Sequence, residues 1–296
     1  MQVSVVIASI VGPPFIDNCL SSLEAEVRRF GAEVIVVACG TEAYASRIAG
    51  RFPWVRVVHR PERETVPELR CRGVLEAKGD IVAIIEEHCV AGENWIEEAV
   101  RGLEGSQYGA VGGPVVDSDY RRLRDWVVYF CEYNGYMPPF AEGETWDLNG
   151  ANIAYRREVL LGHRQLLGQG YWEASLHPAL LAKGVKFRSV PRMRVHHCGP
   201  FDFVYYLQQR YWFSRAFAGS RAKSLPASRR LVYLLAAPLI PAVLLARMGA
   251  RVWRKRCRVG WFFASVPLIA VALMAYVTGE WVGYLAGPGD ALLKVE

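Results

Sequence analysis

"IVAIIEEHCV", residues 81–90, sets five apolar residues in a row and then two glutamates, a histidine and a cysteine. A short apolar run rich in β-branched residues is the pattern of a strand buried on both faces of a parallel sheet. The polar cluster that closes it then falls at the carboxyl end of the strand, where open α/β sheets bind their ligands. In extended chain residues i and i+2 point the same way, so Glu86 and His88 can converge on one point. A carboxylate oxygen with an imidazole nitrogen suits Mn²⁺, Mg²⁺ or Zn²⁺.

The surroundings repeat the strand pattern. Val3–Ser9, Glu33–Ala38 ("EVIVVA") and Val55–His59 read as strands before Ile81–Ile85, and Ala110–Val116 reads as one after it. Helical spacing fills the gaps: Asp17–Phe30 (Cys19, Leu20, Leu23, Val27), Thr41–Arg51, Pro67–Lys78 closed by Gly79, and Glu93–Gly102. Such alternation implies right-handed crossovers and a mainly parallel, Rossmann-like sheet with helices on both faces. Tyr120–Trp146, aromatic-rich with "MPP" and "EGE", reads as a long surface excursion. "NGANIAYRREVL" (149–160) gives a tight turn, a strand and a helix from near Arg156; "GYWEASLHPALLAKG" (170–184) gives a helix ended by Gly184, and "VKFRSVP" another strand.

Of the 296 residues 52% are apolar, enough for a sizeable core and for membrane segments. The net charge of +6 is uneven: residues 200–296 carry +9 and residues 1–199 carry −3. A basic third interleaved with apolar segments points to anionic lipid and away from nucleic acid. Seven cysteines without a CxxC pair imply reduced thiols in a cytoplasmic setting. The first residues, "MQVSVVIASIVGPP", lack a basic start and read as a strand, not a signal peptide.

From Phe201 the pattern changes. Residues 201–228 read as an amphipathic interface helix with Arg210, Arg215 and Arg221 among aromatic residues. Residues 229–296 read as a membrane tail with two apolar segments, 231–246, interrupted by Pro238 and Pro241, and 261–285, the one long enough to span. Basic residues flank the first segment on both sides, which leaves two topologies open: a re-entrant or interface-lying segment, or a two-helix hairpin.

The succession "VSVVIAS", "EVIVVACGT", "ELRCRGVLEAKGDIVAIIEEHC", "NGANIAYRREVL", "GQGYWEASLHPALLAKGVKFRSVP" and "RVHHCG", over residues 3–200, resembles a family 2 glycosyltransferase of the GT-A fold followed by a membrane-associated tail. The resemblance implies a GT-A domain over 1–200 at the cell membrane, with its catalytic side cytoplasmic. It also implies inverting transfer from a nucleotide-sugar donor to a lipid-linked or glycan acceptor. The family's Asp-x-Asp motif falls on Glu86, Glu87 and His88, a departure, since neither Asp is present. Glu86 takes the ribose side and His88 the metal, with Mn²⁺ preferred to Mg²⁺ because imidazole suits it better.

The family's general base stands eleven residues before a helix-ending glycine, which is Glu173 before Gly184. Such a base deprotonates the acceptor hydroxyl. Trp172 beside it offers a ring to a sugar. Ser9, at the end of the first strand, and Arg70 fall in the nucleotide pocket, Gly150 and Asn152 at the sugar, and His197 near the metal. After the second strand the acid that usually reads the base is missing: the sequence has Ala38, Cys39, Gly40, Thr41. Arg210 and Arg215 read as lipid-facing cations or as charge for the leaving diphosphate. The departures leave room for a degenerate, non-catalytic domain that binds glycan or acts as a membrane scaffold. His88-Cys89 and His196-His197-Cys198 leave room for a zinc or redox site.

Overall fold

The computed structural model describes residues 1–169 and 172–295, with the backbone alone of Glu173. In chain order the first elements are β1 (Val3–Ser9), α1 (Phe15–Phe30), β2 (Glu33–Cys39), α2 (Glu42–Arg51), β3 (Val55–Arg60), α3 (Val66–Glu76), β4 (Ile81–Ile85), β5 (Cys89–Ala91), α4 (Trp95–Leu103), β6 (Tyr108–Gly112) and β7 (Val115–Asp117). Then come α5 (Leu123–Tyr133), β8 (Gly143–Thr145), β9 (Asn152–Arg156), α6 (Arg157–Leu161), α7 (Trp172–Ala182), β10 (Lys186–Ser189) and β11 (Val195–His197). The last are α8 (Phe203–Lys223), α9 (Ala227–Ala236), α10 (Ile240–Lys255) and α11 (Val259–Ala286).

Two units emerge. The first comprises residues 1–118 and 136–198. Its eight-stranded sheet has the order β3-β2-β1-β4-β9-β6-β10-β8. β1 pairs in parallel with β2 and β4, β2 with β3, and β6 with β10, while β9 runs antiparallel between β4 and β6. A small sheet, β5-β11-β7, stands beside it.

Local chemistry sets the helix positions. Thr65 and Glu68 form a reciprocal capping box with Pro67 in the first turn, which starts α3 after the basic stretch His59–Arg63. Thr41 caps α2 by accepting from the Tyr44 N–H at 3.2 Å. α3 lies close on the sheet: a Cβ at Gly73 would stand 2.3 Å from Val6 Cγ1. Beneath α3 and α7 the core gathers Val6, Val37, Leu69, Ile84, Tyr155, Trp172 and Leu176.

The strand expected over Ala110–Val116 is two strands, β6 and β7. Pro114 has no N–H for a ladder, and a Cβ at Gly113 would lie 1.6 Å from Met193 O, so only glycine lets the two chain segments approach there.

The second unit comprises residues 119–135 and 199–296. The expected surface excursion begins inside it, as helix α5. Trp126, Phe130 and Tyr133 recur at helical spacing, and their burial drives the segment helical. Trp126 stacks on Trp261 and Phe130 meets Phe262 edge-on, both on α11.

Within the expected interface helix of residues 201–228, α8 ends at Lys223, before Ser224 and Pro226. Its buried stripe is one of small residues, Ser214, Ala218 and Ala222, packed against α11, and not a broad apolar face. Arg210 is mostly buried there and pairs with Glu132 at 2.6 Å. Residues 227–255 and 259–286 form two helices long and apolar enough to cross a membrane, the first bent by a 3₁₀ turn at 237–239 where Pro238 falls.

Candidate active site

At the end of β4 the chain turns sharply, and the Cys89 N–H donates to Glu86 O at 2.9 Å. The Glu86 N–H donates to Ala151 O at 3.3 Å, which sets the turn before β9 beside the motif. That turn is fixed by Asn149, whose Oδ1 accepts from the Ala151 N–H at 2.8 Å. Gly150 and Ala151 therefore lie next to Glu86.

Glu86, about one-third exposed, accepts from Arg70 Nη2 at 2.9 Å. Arg70 reaches there from α3 and is itself buried, and its guanidinium carbon stands 5.9 Å from the centre of the Trp172 ring. One cation thus joins α3, the end of β4 and the first residue of α7.

Glu87 turns the opposite way. Its carboxylate is buried and accepts from Ser9 Oγ at 2.7 Å and from the N–H groups of Ile10 (2.8 Å), Val11 (2.8 Å) and Gly12 (3.1 Å). Successive backbone N–H groups turned inward make an anion-binding nest, and here the chain fills it with its own side chain. The Tyr44 hydroxyl bonds Ser9 Oγ as well. Burial first, and Glu87 second, push the Tyr44 hydroxyl well above the usual phenol range, so it stays protonated.

His88 and His197 face each other across the small sheet. Their ring centres are 6.3 Å apart, with the planes inclined at 41°, and the Phe15 ring lies 4.5 Å from His88. β11 places His197 opposite Cys89 on β5 and Asp117 on β7. Burial first, and then His88, hold the His197 imidazole neutral, well below its usual range. A neutral imidazole keeps the lone pair a metal ion needs.

Among the described residues no three His, Cys, Asp or Glu side chains gather closely enough to enclose an ion. The His-Cys neighbours thus form no closed three- or four-ligand cluster among the described residues. Burial keeps the Cys19 and Cys89 thiols protonated, against a redox reading. The two imidazoles by themselves are donor groups of a kind that divalent transition ions accept.

The model of the family "Glycosyl transferase family 2" matches residues 4–162, just over half of the chain. The chain belongs to glycosyl transferase family 2. A curated relative, the glucosyl-dolichyl phosphate glucuronosyltransferase of Haloferax volcanii, is 29% identical over 140 residues, which are 44% of each protein. The chain thus spans less than half the length of that relative.

Solved structures extend the likeness. A mannosyltransferase of Pyrobaculum calidifontis in complex with GDP-Man and Mn²⁺ aligns over 96% of this chain and 87% of its own, at 18% identity and a TM-score of 0.57. TarS of S. aureus aligns over 95% and 91%, at 11% identity and a TM-score of 0.52. At these identities the likeness establishes the GT-A fold. The chain therefore carries a family 2 glycosyl transferase domain with a GT-A sheet, followed by two apolar C-terminal helices.

Within this family 2 chain the expected site residues separate into two groups. Glu86, His88, His197, Arg70 and the Gly150 turn lie around the end of β4. The other four, Glu87, Ser9, Asn152 and Trp172, are buried. Glu87 and Ser9 are spent on each other and on the loop after β1.

Asn152 is fully buried: its Nδ2 donates to Pro114 O (3.0 Å) and Met193 O (2.7 Å), and its Oδ1 accepts from Trp95 Nε1 (2.8 Å), so it ties β9 to its neighbours. Trp172 is also buried; its Nε1 donates to Leu167 O at 2.7 Å and its ring packs edge-on against Tyr155.

Glu173 follows Trp172 on α7, and its side chain lies outside the described residues. Sequence reasoning missed Tyr44 and Phe15. Neither sits in a motif, and only their places just beyond β2 and β1 could have pointed to them.

Proposed function

We propose that this glycosyltransferase moves a sugar from a nucleotide-diphosphate donor to a lipid-linked or glycan acceptor at a membrane, with inversion at the anomeric carbon. The observation that carries this reading is the Arg70 bridge: one buried guanidinium pairs with Glu86 and rests over Trp172, the residue before Glu173. It sets the start of α7 against the altered Asp-x-Asp motif.

In this reading Glu173 accepts the proton of the acceptor hydroxyl as that oxygen attacks the anomeric carbon, and the nucleoside diphosphate leaves from the opposite face. Arg70 and Glu86 orient the donor, Glu86 on the ribose side. His88 and His197 would hold a divalent cation, Mn²⁺ before Mg²⁺ because imidazole nitrogen suits it better. When bound, that ion offsets the charge gathering on the leaving diphosphate. The Gly150–Ala151 turn lets the sugar approach backbone.

The name of the Haloferax relative, a glucosyl-dolichyl phosphate glucuronosyltransferase, and the apolar C-terminal helices favour a lipid-linked acceptor. A cytoplasmic catalytic side fits cysteines that form no disulfide among the described residues.

The test is a screen of nucleoside diphosphates and their sugars, with and without Mn²⁺, read by thermal shift and by donor hydrolysis. Stabilisation by one nucleoside diphosphate, deepened by Mn²⁺, and hydrolysis lost in Glu173→Gln are expected. Binding and hydrolysis unaffected by both Glu173→Gln and His197→Ala would overturn the residue assignment.

A further inference from the structure

By length alone either apolar helix could cross a bilayer. At ~1.5 Å per residue, α11 is about 42 Å long against a hydrocarbon core of about 30 Å. What packs beside it decides otherwise. At its start Trp261 stacks on Trp126 with ring centres 5.4 Å apart, and Arg258 pairs with Asp119 at 2.7 Å. The Asp119 side chain is 86% exposed, and α5 itself carries the Arg122–Asp125 ion pair.

At its far end α8 lies against α11 at backbone distance. A Cβ at Gly279 would stand 2.1 Å from Ser214 Oγ, and one at Gly283 2.7 Å from Arg215 O. Over that stretch α8 carries three arginines: Arg210 over the Tyr276 ring, Arg215 beside Gly289, and Arg221 paired with Glu280. Between the contacts at Phe262 and those at Tyr276 lie residues 263–275 of α11, about 20 Å, which is shorter than the hydrocarbon core.

The other helix shows the same limit. Between Arg230 and Arg247 the apolar stretch 231–246 covers about 24 Å and is broken at Pro238. It runs antiparallel to α11, with Tyr233 stacked on Tyr284 and Gly249 beside Phe262. Cations stand at both ends of this hairpin: Lys223, Arg229 and Arg230 at one, Arg254, Lys255 and Arg256 at the other. A crossing hairpin would carry one of these groups to the far side of the bilayer and draw the α8 arginines toward its midplane, where charge is strongly disfavoured. The outward apolar face, by contrast, is continuous in character: Leu231, Leu235 and Leu239 on one arm, Met274 and Leu285 on the other.

We propose that the second unit is monotopic: α9, α10 and α11 lie in one leaflet of an anionic phospholipid bilayer, their outward face among the acyl chains and both cationic ends at the level of the phosphates, and none of them crosses. Cations on both flanks of an in-plane apolar face match the arrangement by which interfacial helices bind anionic membranes. The inference stands apart from the chemistry proposed above, since it uses no residue of the first unit.

The test labels the full-length chain in sealed vesicles with a membrane-impermeant maleimide, read peptide by peptide by mass spectrometry. Arg229→Cys and Arg256→Cys, each in a Cys257→Ser chain, report the two ends. Both are expected to label to the same extent from outside, or both only after the vesicles are opened. One labelled from outside and the other only after opening would overturn the proposal. Flotation with preformed vesicles is expected to be about fivefold stronger when they contain phosphatidylglycerol than with phosphatidylcholine alone; equal flotation would overturn the assignment to an anionic leaflet.

Discussion

Glu86 and Glu87 are adjacent, chemically identical and differently employed. Glu87 belongs to the floor of the site, where it is buried under one donor from the end of β1 and three from the loop after it. Glu86 belongs to the rim, partly exposed, with Arg70 as its partner and the Gly150 turn alongside. The difference comes from alternation at a strand end: consecutive side chains leave on opposite sides, and what each meets decides its task. A carboxylate that meets a ring of backbone N–H groups becomes structure, and one that meets an arginine while partly exposed stays available to a ligand.

The rim carries the largest expected effect. Glu173→Gln keeps the volume of the side chain and removes the base, so donor turnover should fall by about 10²–10⁴. The melting temperature and the affinity for nucleoside diphosphate should hold near those of the unaltered protein. A loss of turnover matched by a loss of nucleotide affinity would move Glu173 from chemistry to binding and blur the distinction between rim and floor.

The floor should respond in the reverse sense. Glu87→Gln leaves one carbonyl oxygen to accept what a carboxylate accepts from four donors, and turns an amide N–H toward them. Unsatisfied buried groups of this kind cost about 2 kcal/mol, which for a domain of this size is a fall of roughly 4–8 °C in melting temperature. Calorimetry of the full chain checks it. An unchanged melting temperature would mean that the loop after β1 holds its shape without Glu87.

His197→Ala returns to the rim with a smaller effect. Removing one imidazole should raise the Mn²⁺ concentration needed for half-maximal nucleoside diphosphate binding by about tenfold, with little change in melting temperature in the absence of metal. Titration calorimetry with Mn²⁺ and nucleotide reads this directly. Unaltered metal dependence would assign His197 to packing between β5 and β7.

How far the sequence carries such distinctions differs by region. The parallel strands and their crossing helices follow from runs such as Val3–Ser9 and Ile81–Ile85, because burial on both faces leaves an unbroken apolar signature. The place of the candidate site at the end of β4 follows from topology. Which of its side chains are buried does not. Asn152 and Trp172 carry the chemistry of a sugar site but are held in the core by Trp95, Pro114 and Leu167, partners distant in sequence or in a turn without a motif. In the second unit α5 was hidden for a related reason: its aromatic residues look like a surface loop until α11, more than a hundred residues later, covers them. Small residues spaced along α8 and α11 gave a signal of close packing, but an arginine-rich helix reads first as a lipid-facing one.

Arg70→Lys is the mildest change and tests the join between rim and core. Lysine keeps the positive charge but is a flexible point cation, whereas the planar guanidinium can bond Glu86 in its plane while lying near the Trp172 ring. If the bridge only neutralises Glu86, lysine should suffice and kinetics should not change. If its geometry sets the start of α7 relative to the motif, the Michaelis constant for the donor should rise about threefold, with kcat reduced in proportion to any displacement of Glu173. The split between the two constants is what matters. A shift confined to the donor constant places Arg70 with the ligand, and a shift in both places it between the rim that binds the nucleotide and the helix that carries the base.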